Sequence, residues 1–301
     1  MDVLRPPRLQ PGDRVRLVSP ASYPSADLLA ESVRTLESWG LVVEIAPHAM
    51  DRHGYMAGHD ADRLADLNDA YRDPGVRAVI ATLGGAGAYR IADGIDFAAV
   101  RADPKPLVGF SDITNLHLAV WRECRVTGVH GCLAGDRSAA STRALLMESE
   151  PVELHRDRHA LTAAVEVPGK AVGHLVGGHL GTIAWSVGAG LPSLAGAILL
   201  LEEPRAVGLG QVDRHLTQLM RSGSLRGLRG VALGRFTGFE DYVDRDWTVV
   251  DVLRDRLSAL GVPVLGGIDA GHGDNPLSIP LGPLAELDTE VGTLEVGPAV
   301  V

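Results

Sequence analysis

Ser111 stands in Gly109-Phe110-Ser111-Asp112, directly after the apolar run Pro106-Leu107-Val108. A strand that breaks at a glycine, presents a serine and enters a helical run (Ile113 to Arg122) would lift the hydroxyl clear of the backbone. The first amides of that helix have no intrahelical acceptor and suit an oxyanion. Gly109 permits close approach at the corner. The familiar G-x-S-x-G elbow carries a second glycine where this chain has Ile113, and serine is also a common helix cap. On this motif alone, nucleophile and cap both stay open.

A serine nucleophile needs a base within hydrogen-bond reach and a group that orients the base. Among eleven histidines, His272 stands apart in Asp269-Ala270-Gly271-His272-Gly273-Asp274, a glycine-flanked loop after Val262-Pro263-Val264-Leu265. His53 and His59 lie in a polar stretch, His215 falls on a helical pattern, and His174 and His179 flank a glycine turn that could line a cleft. Ala197 to Leu201 is apolar and ends in Glu202-Glu203, which places a carboxylate at the mouth of a buried strand. Strand alternation turns the two acids opposite ways, so one faces a given site; both could equally mark where the strand meets water. Gly84-Gly85-Ala86-Gly87 has neither the G-x-G-x-x-G order nor the Lys-Ser/Thr of a phosphate loop. It is either a plain turn or the source of an amide that joins the Asp112 amide in an oxyanion hole.

The elements that must position these groups follow from periodicity. Arg14–Ser19, Leu41–Ile45, Ala78–Leu83 and Leu107–Gly109 read as strands; Ser25–Trp39 and Asp60–Ala70 have helical spacing. Alternating strands and helices indicate an α/β fold whose mostly parallel sheet is buried on both faces. Ligands on such sheets sit beyond the carboxyl ends of the strands, where the loops at Ser19, Gly84 and Gly109 fall. The pattern degrades from about Ser138 to Gly169, a polar stretch that reads as interdomain. Beyond it, Ala171–Val176 and Ala197–Leu201 read as strands. Leu180–Val187, Val212–Arg221 and Trp247–Leu260 read as helices, and the alternating tail Glu286–Val296 suggests short strands.

The 301 residues suit one large or two ordinary domains, and 46% apolar with 22% charged residues reads as globular. Only 4% are aromatic and the formal net charge is −10, which disfavours base-stacking platforms and polyanion binding. The first residues lack a signal-peptide core, and no later run is long enough to span a bilayer. Cys124 and Cys132 match no metal or disulfide framework and read as buried thiols of a reducing cytoplasm. No metal or cofactor is expected.

Taken in order, these segments resemble the serine LD-carboxypeptidases, the murein tetrapeptide carboxypeptidase family that also includes the microcin C self-immunity peptidase. The resemblance runs nearly the whole chain. It is carried by Leu17-Val18-Ser19-Pro20-Ala21-Ser22, the 84–87 and 109–112 stretches, Val129-His130-Gly131 and Gly177-Gly178-His179-Leu180. Leu200-Leu201-Glu202-Glu203, Val212-Asp213-Arg214-His215-Leu216, and Gly271-His272 through Pro280-Leu281-Gly282 complete it.

This resemblance implies a triad of Ser111 as nucleophile, His272 as base and Glu202 as orienting acid, with Gly85 and Asp112 supplying oxyanion amides. It implies a doubly wound, mostly parallel amino-terminal domain carrying the nucleophile (1–145), a linker (146–165) and a smaller β-rich carboxy-terminal domain (166–301) carrying acid and base. A cytoplasmic homodimer acting on a small peptide or peptidyl substrate, without nucleic acid or membrane partners, is expected. The reaction implied is hydrolysis of the amide between an L-configured residue and a terminal D-amino acid. A microcin-immunity-like peptidase, with Trp185 as a shelf for a base, or a pathway-specific amide hydrolase or acyl transferase are the alternatives; a non-catalytic binding module is the reading outside catalysis. Ala86 stands where the family commonly has tyrosine, His179 where asparagine is common, and Cys132 where proline is common. Ala86 and His179 are therefore candidates for substrate contact, with Arg90 and Arg205 as possible carboxylate clamps.

Overall fold

A computed structural model of the chain describes residues 2–206 and 208–301. The fold is α/β and divides into two compact units. The first comprises Met1–Glu150, Ser278–Gly282 and Pro298–Val301; the second comprises Pro151–Leu277 and Pro283–Gly297.

In the first unit, strands β1 (Arg14–Val18), β2 (Val42–Ile45), β3 (Val76–Ala81), β4 (Leu107–Gly109) and β5 (Gly128–His130) are parallel neighbours. Helices α1 (Ala26–Ser38), α2 (Asp60–Arg72), α3 (Phe97–Ala102), α4 (Thr114–Cys124) and α5 (Asp136–Met147) connect or follow them. Their order across the sheet, β5-β4-β3-β1-β2, is a doubly wound one with a switch point between β1 and β3. Ser25 caps α1 by accepting the Leu28 amide, and Gly40, at φ +82, takes the left-handed turn that ends it. Val15, Leu17, Val18, Val79, Ile80, Leu107 and Val108 are buried, as a sheet covered on both faces requires. Beneath β3, the buried Lys105 donates to the carbonyls of Ala70, Tyr71 and Asp73, closing the end of α2 with a charged cap.

In the second unit, β6 (Val152–His155), β7 (Glu166–Val167), β8 (Lys170–His179), β9 (Ala197–Glu202), β10 (Gly230–Leu233) and β11 (Val264–Leu265) alternate with α6 (Leu180–Trp185), α7 (Leu209–Arg221) and α8 (Val249–Ser258). The chain then gives β12 (Ile279–Leu281), which pairs antiparallel to β5 in the first unit's sheet, before β13 (Leu284–Asp288) and β14 (Thr293–Val296). The second sheet runs β6-β14-β13-β8-β9-β10-β11-β7, with β8 to β11 parallel and its remaining pairings antiparallel.

Two boundaries and the burial of one cysteine differ from the sequence reading. Residues 146–165 are not a linker: β6 pairs with β14, and Thr162 bonds the Gly234 carbonyl and the Gly267 amide. Charged residues mask β6 because it is an edge strand with one face in water. The span 166–301 is not one body, since 278–282 and 298–301 belong to the first unit. There the Thr127 hydroxyl donates to the Ala299 carbonyl. Cys124 is buried as expected, whereas Cys132, in the loop after β5, is only half-buried.

Candidate active site

The first unit builds the serine. Strand β4 ends at Gly109, where an added Cβ would lie 2.8 Å from Cγ2 of Ile113. That contact requires glycine at 109, with the Ile113 side chain packed directly against it. Ile113 is fully buried and fills the core directly under the turn, so the tight corner is made at Gly109 alone. Ser111 has φ +61, the left-handed region that non-glycine residues rarely occupy. It opens a 3-10 turn, Ser111–Ile113, that leads into α4, and neither helical start takes it as the capping residue. Ser111 is half-buried, and a serine held in this region at a strand-to-helix turn can present its hydroxyl to a substrate. From α4, the buried His117 reaches under the turn, and its Nε2 donates to the Gly109 carbonyl at 2.9 Å. Burial pushes this imidazole down to about 4, so it stays neutral.

The glycine loop lies against the same turn. A Cβ on Gly84 would sit 2.8 Å from the Ser111 Cβ and 3.1 Å from the Phe110 carbonyl. Gly85 has φ +94, and a Cβ there would collide with the Ser22 hydroxyl at 2.3 Å. Ser22 holds the loop through two bonds: its amide donates to the Gly84 carbonyl, and its Oγ accepts from the Ala86 amide. Among the described residues the Gly85 amide has no acceptor. The Asp112 amide lies in the first turn of the 3-10 segment, where no intrahelical acceptor exists. Arg90, placed nearby by the sequence, is engaged by Asp60, whose carboxylate oxygens accept from its Nε at 2.9 and 2.8 Å.

The second unit builds the imidazole and the acids. β9 is buried along its whole length and ends in Glu202, which is 0% exposed. One oxygen of Glu202, Oε2, accepts twice from His272, from the backbone amide at 3.0 Å and from Nδ1 at 2.7 Å. This fixes the Nδ1–H tautomer and leaves the lone pair on Nε2. Two glycines make room for the carboxylate. A Cβ on Gly271 (φ +108) would lie 2.5 Å from Oε2, and one on Gly234 would lie 3.1 Å from the Glu202 Cβ. Thr237 donates its hydroxyl to the His272 carbonyl, anchoring the loop from the far side.

Glu203 turns the other way, as strand alternation requires. Its Oε2 accepts from the Gly181 amide at 2.8 Å and lies 3.3 Å from Nε2 of His179. His179 caps α6: its Nδ1 accepts from the Thr182 amide and hydroxyl, which puts the ring proton on Nε2, toward Glu203. The rings of His179 and His272 are 5.7 Å apart. Burial pushes Glu203 up to about 7 and His179 down to about 4. Two consecutive glutamates therefore hold two neighbouring histidines, one pair for each face of the strand end. Arg205 is spent on structure: its Nε donates to the Gly238 carbonyl and its guanidinium lies over the Tyr242 ring. Ser22, Thr237, Gly234 and the Asp112 side chain escaped the sequence reading, because a supporting hydroxyl, glycine or carboxylate carries no pattern apart from the group it supports.

The model of the LD-carboxypeptidase N-terminal domain matches residues 15–131, and that of the C-terminal domain matches 172–287. The chain belongs to the LD-carboxypeptidase family. A Streptomyces coelicolor relative, named as a carboxypeptidase without a stated substrate, is 40% identical over 97% of this chain and 96% of its own. The murein tetrapeptide carboxypeptidase of Pseudomonas aeruginosa is 31% identical, covering 93% of this chain and 94% of that protein. An MccF-like protein from Bacillus anthracis has the same fold, with a TM-score of 0.87 at 22% identity over 98% of this chain and 100% of that one. The two LD-carboxypeptidase domain matches lie within the spans of the two units, apart from β12 and its flanks. Among the described residues, no helix is long and apolar enough to cross a membrane.

Proposed function

We propose that this LD-carboxypeptidase is a serine peptidase that removes a terminal D-amino acid from murein-type peptides, working in the cytoplasm as a homodimer. In this reading Ser111 is the nucleophile, His272 the base and Glu202 the acid that orients it. Attack of the Ser111 Oγ on the carbonyl carbon of the L-residue transfers the hydroxyl proton to Nε2 of His272. The carbonyl electrons move onto oxygen, where the Gly85 and Asp112 amides would receive them; one donor of this kind is worth about 3 kcal/mol. Collapse breaks the C–N bond, and His272 protonates the departing amine. Water then attacks the acyl ester with His272 again as base, and Ser111 regains its proton. Positioned proton transfer of this type contributes about 10²–10⁴ in rate.

The observation that carries this reading is the buried Glu202 carboxylate accepting both donors of His272, which sets the one tautomer able to take a proton at Nε2. Relatives named for murein peptides support the substrate class. The test is a mass-spectrometric screen of wild type and Ser111→Ala against murein tetrapeptides, aminoacyl-nucleotide analogues and dipeptides ending in D-amino acids. Wild type is expected to release D-alanine from tetrapeptides and to label with a fluorophosphonate at Ser111. A mutant equal to wild type on every cleaved substrate would refute the nucleophile, and cleavage of nucleotide analogues alone would refute the substrate class.

A further inference from the structure

We propose that the Asp112 side chain is a positioning residue: its carboxylate pins the glycine loop to the turn that carries Ser111 and thereby fixes the Gly85 amide. The proposal rests on Ser111 being the nucleophile. Oδ2 of Asp112 accepts from the Ala88 amide at 2.8 Å, the Gly87 amide also bonds the carboxylate, and Oδ1 accepts from Nδ2 of Asn115 at 2.9 Å. Every one of these partners is a donor, so the group between them must be acceptor-only, as an ionised carboxylate is and a carboxamide is not. Ser22 holds the other end of the loop through Gly84 and Ala86. Ser22 thus brackets Gly85 on both sides while Asp112 holds the next two residues, Gly87 and Ala88, and the Gly85 amide itself stays outside all of these bonds.

The placement is costly, because burial pushes Asp112 up to about 6. The charged or titratable groups facing it are Arg63 from α2, itself buried, and Tyr89 from the 3-10 turn after the loop. Arg63 donates to the Pro20 carbonyl and pairs with Asp60, so its charge supports Asp112 at a distance rather than by contact. A carboxylate that serves only to start the short turn at Ala88–Arg90 could be replaced by a neutral acceptor. One that spaces the loop from the Ser111 turn could not, since the spacing depends on all three donors at once.

The experiment measures hydrogen exchange of peptides covering residues 84–90 in the full chain from pH 5 to pH 8, corrected for intrinsic rates, alongside hydrolysis kinetics. In wild type, protection of this segment should drop as pH falls through about 6 and the carboxylate takes a proton. Asp112→Asn should remove that pH dependence and expose the segment throughout. Its kcat should fall about 10²-fold with KM unchanged, since the displaced amide meets the oxyanion and not the ground state. If Asp112→Asn does not fold, the wild-type exchange profile still decides: protection independent of pH overturns the clamp. Wild-type kcat in Asp112→Asn, even with altered exchange, overturns the positioning role. If wild type hydrolyses no peptide, the serine-peptidase reading falls, while the exchange profile still reports on the clamp.

Discussion

Replacing Glu202 by glutamine isolates the contribution of one charge, because the two side chains have nearly the same shape. Oε2 is fully buried and accepts at 3.0 Å from the His272 amide and at 2.7 Å from Nδ1. The glutamine can offer its oxygen to these donors, but without charge, or its NH₂, which opposes both. In either pose Nδ1–H is held less firmly, the other tautomer gains ground, and the imidazolium formed during attack lacks its counter-charge. The equivalent acid-to-amide change in a Ser-His-Asp enzyme costs about 10⁴ in kcat. Here the amide of His272 still has an oxygen to bond, so a loss of about 10³–10⁴ is expected, or about 4–5.5 kcal/mol at 1.36 kcal/mol per decade. KM should hold, since the imidazolium exists only on the reaction path. The assay is D-alanine release from a murein tetrapeptide under saturating and limiting substrate. A thermal melt serves as control; removing a buried charge need not lower it. A kcat within tenfold of wild type, in a protein that melts normally, would refute the role given to Glu202.

Two further perturbations bear on the same chemistry. Gly84→Ala places a methyl 2.8 Å from the Ser111 Cβ, so the loop must shift; fluorophosphonate labelling and kcat should both fall by about 10²-fold or more with circular dichroism unchanged. Glu203 makes stability depend on pH: its folded value of about 7 lies above the ordinary glutamate value of 4.5, so the unfolded chain gives up this proton first as pH rises. The stabilisation present below pH 4.5 is therefore lost through pH 7, by up to about 3 kcal/mol. Urea melts of Glu203→Gln should show a flatter profile between pH 5 and pH 8 than wild type, and parallel profiles would refute the assignment.

The strands and helices that carry the site were legible because their patterns are strong. The apolar run Ala197 to Leu201 reads as a strand and is one, buried along its length, and the Leu28-Leu29-Val33-Leu36 spacing reads as one face of a helix, which α1 is. What stayed hidden was made by pairing rather than pattern. β6 and β12 are too short and too mixed in composition to announce themselves, and each becomes a strand only because β14 or β5 offers it a ladder. The site divides the same way. Ser111 and His272 stood out by their surroundings in the chain, while their grouping with Glu202 came from the family resemblance; the residues alone said that Glu202 and Glu203 point apart, not what each meets.

The structure supplies the missing term: consecutive acids on one buried strand are set against different histidines. Glu202 faces a ring whose tautomer it fixes, and Glu203 a ring that the first turn of α6 already holds by its other nitrogen. Burial raises Glu203 to about 7, so near neutrality this second acid is partly protonated. The neighbouring Glu202 adds to the effect of burial, since a second negative charge beside the first is disfavoured. The two carboxyl groups of this strand end thus have different surroundings: Glu202 receives both donors of His272, whereas Glu203, raised by burial, meets the Gly181 amide and His179.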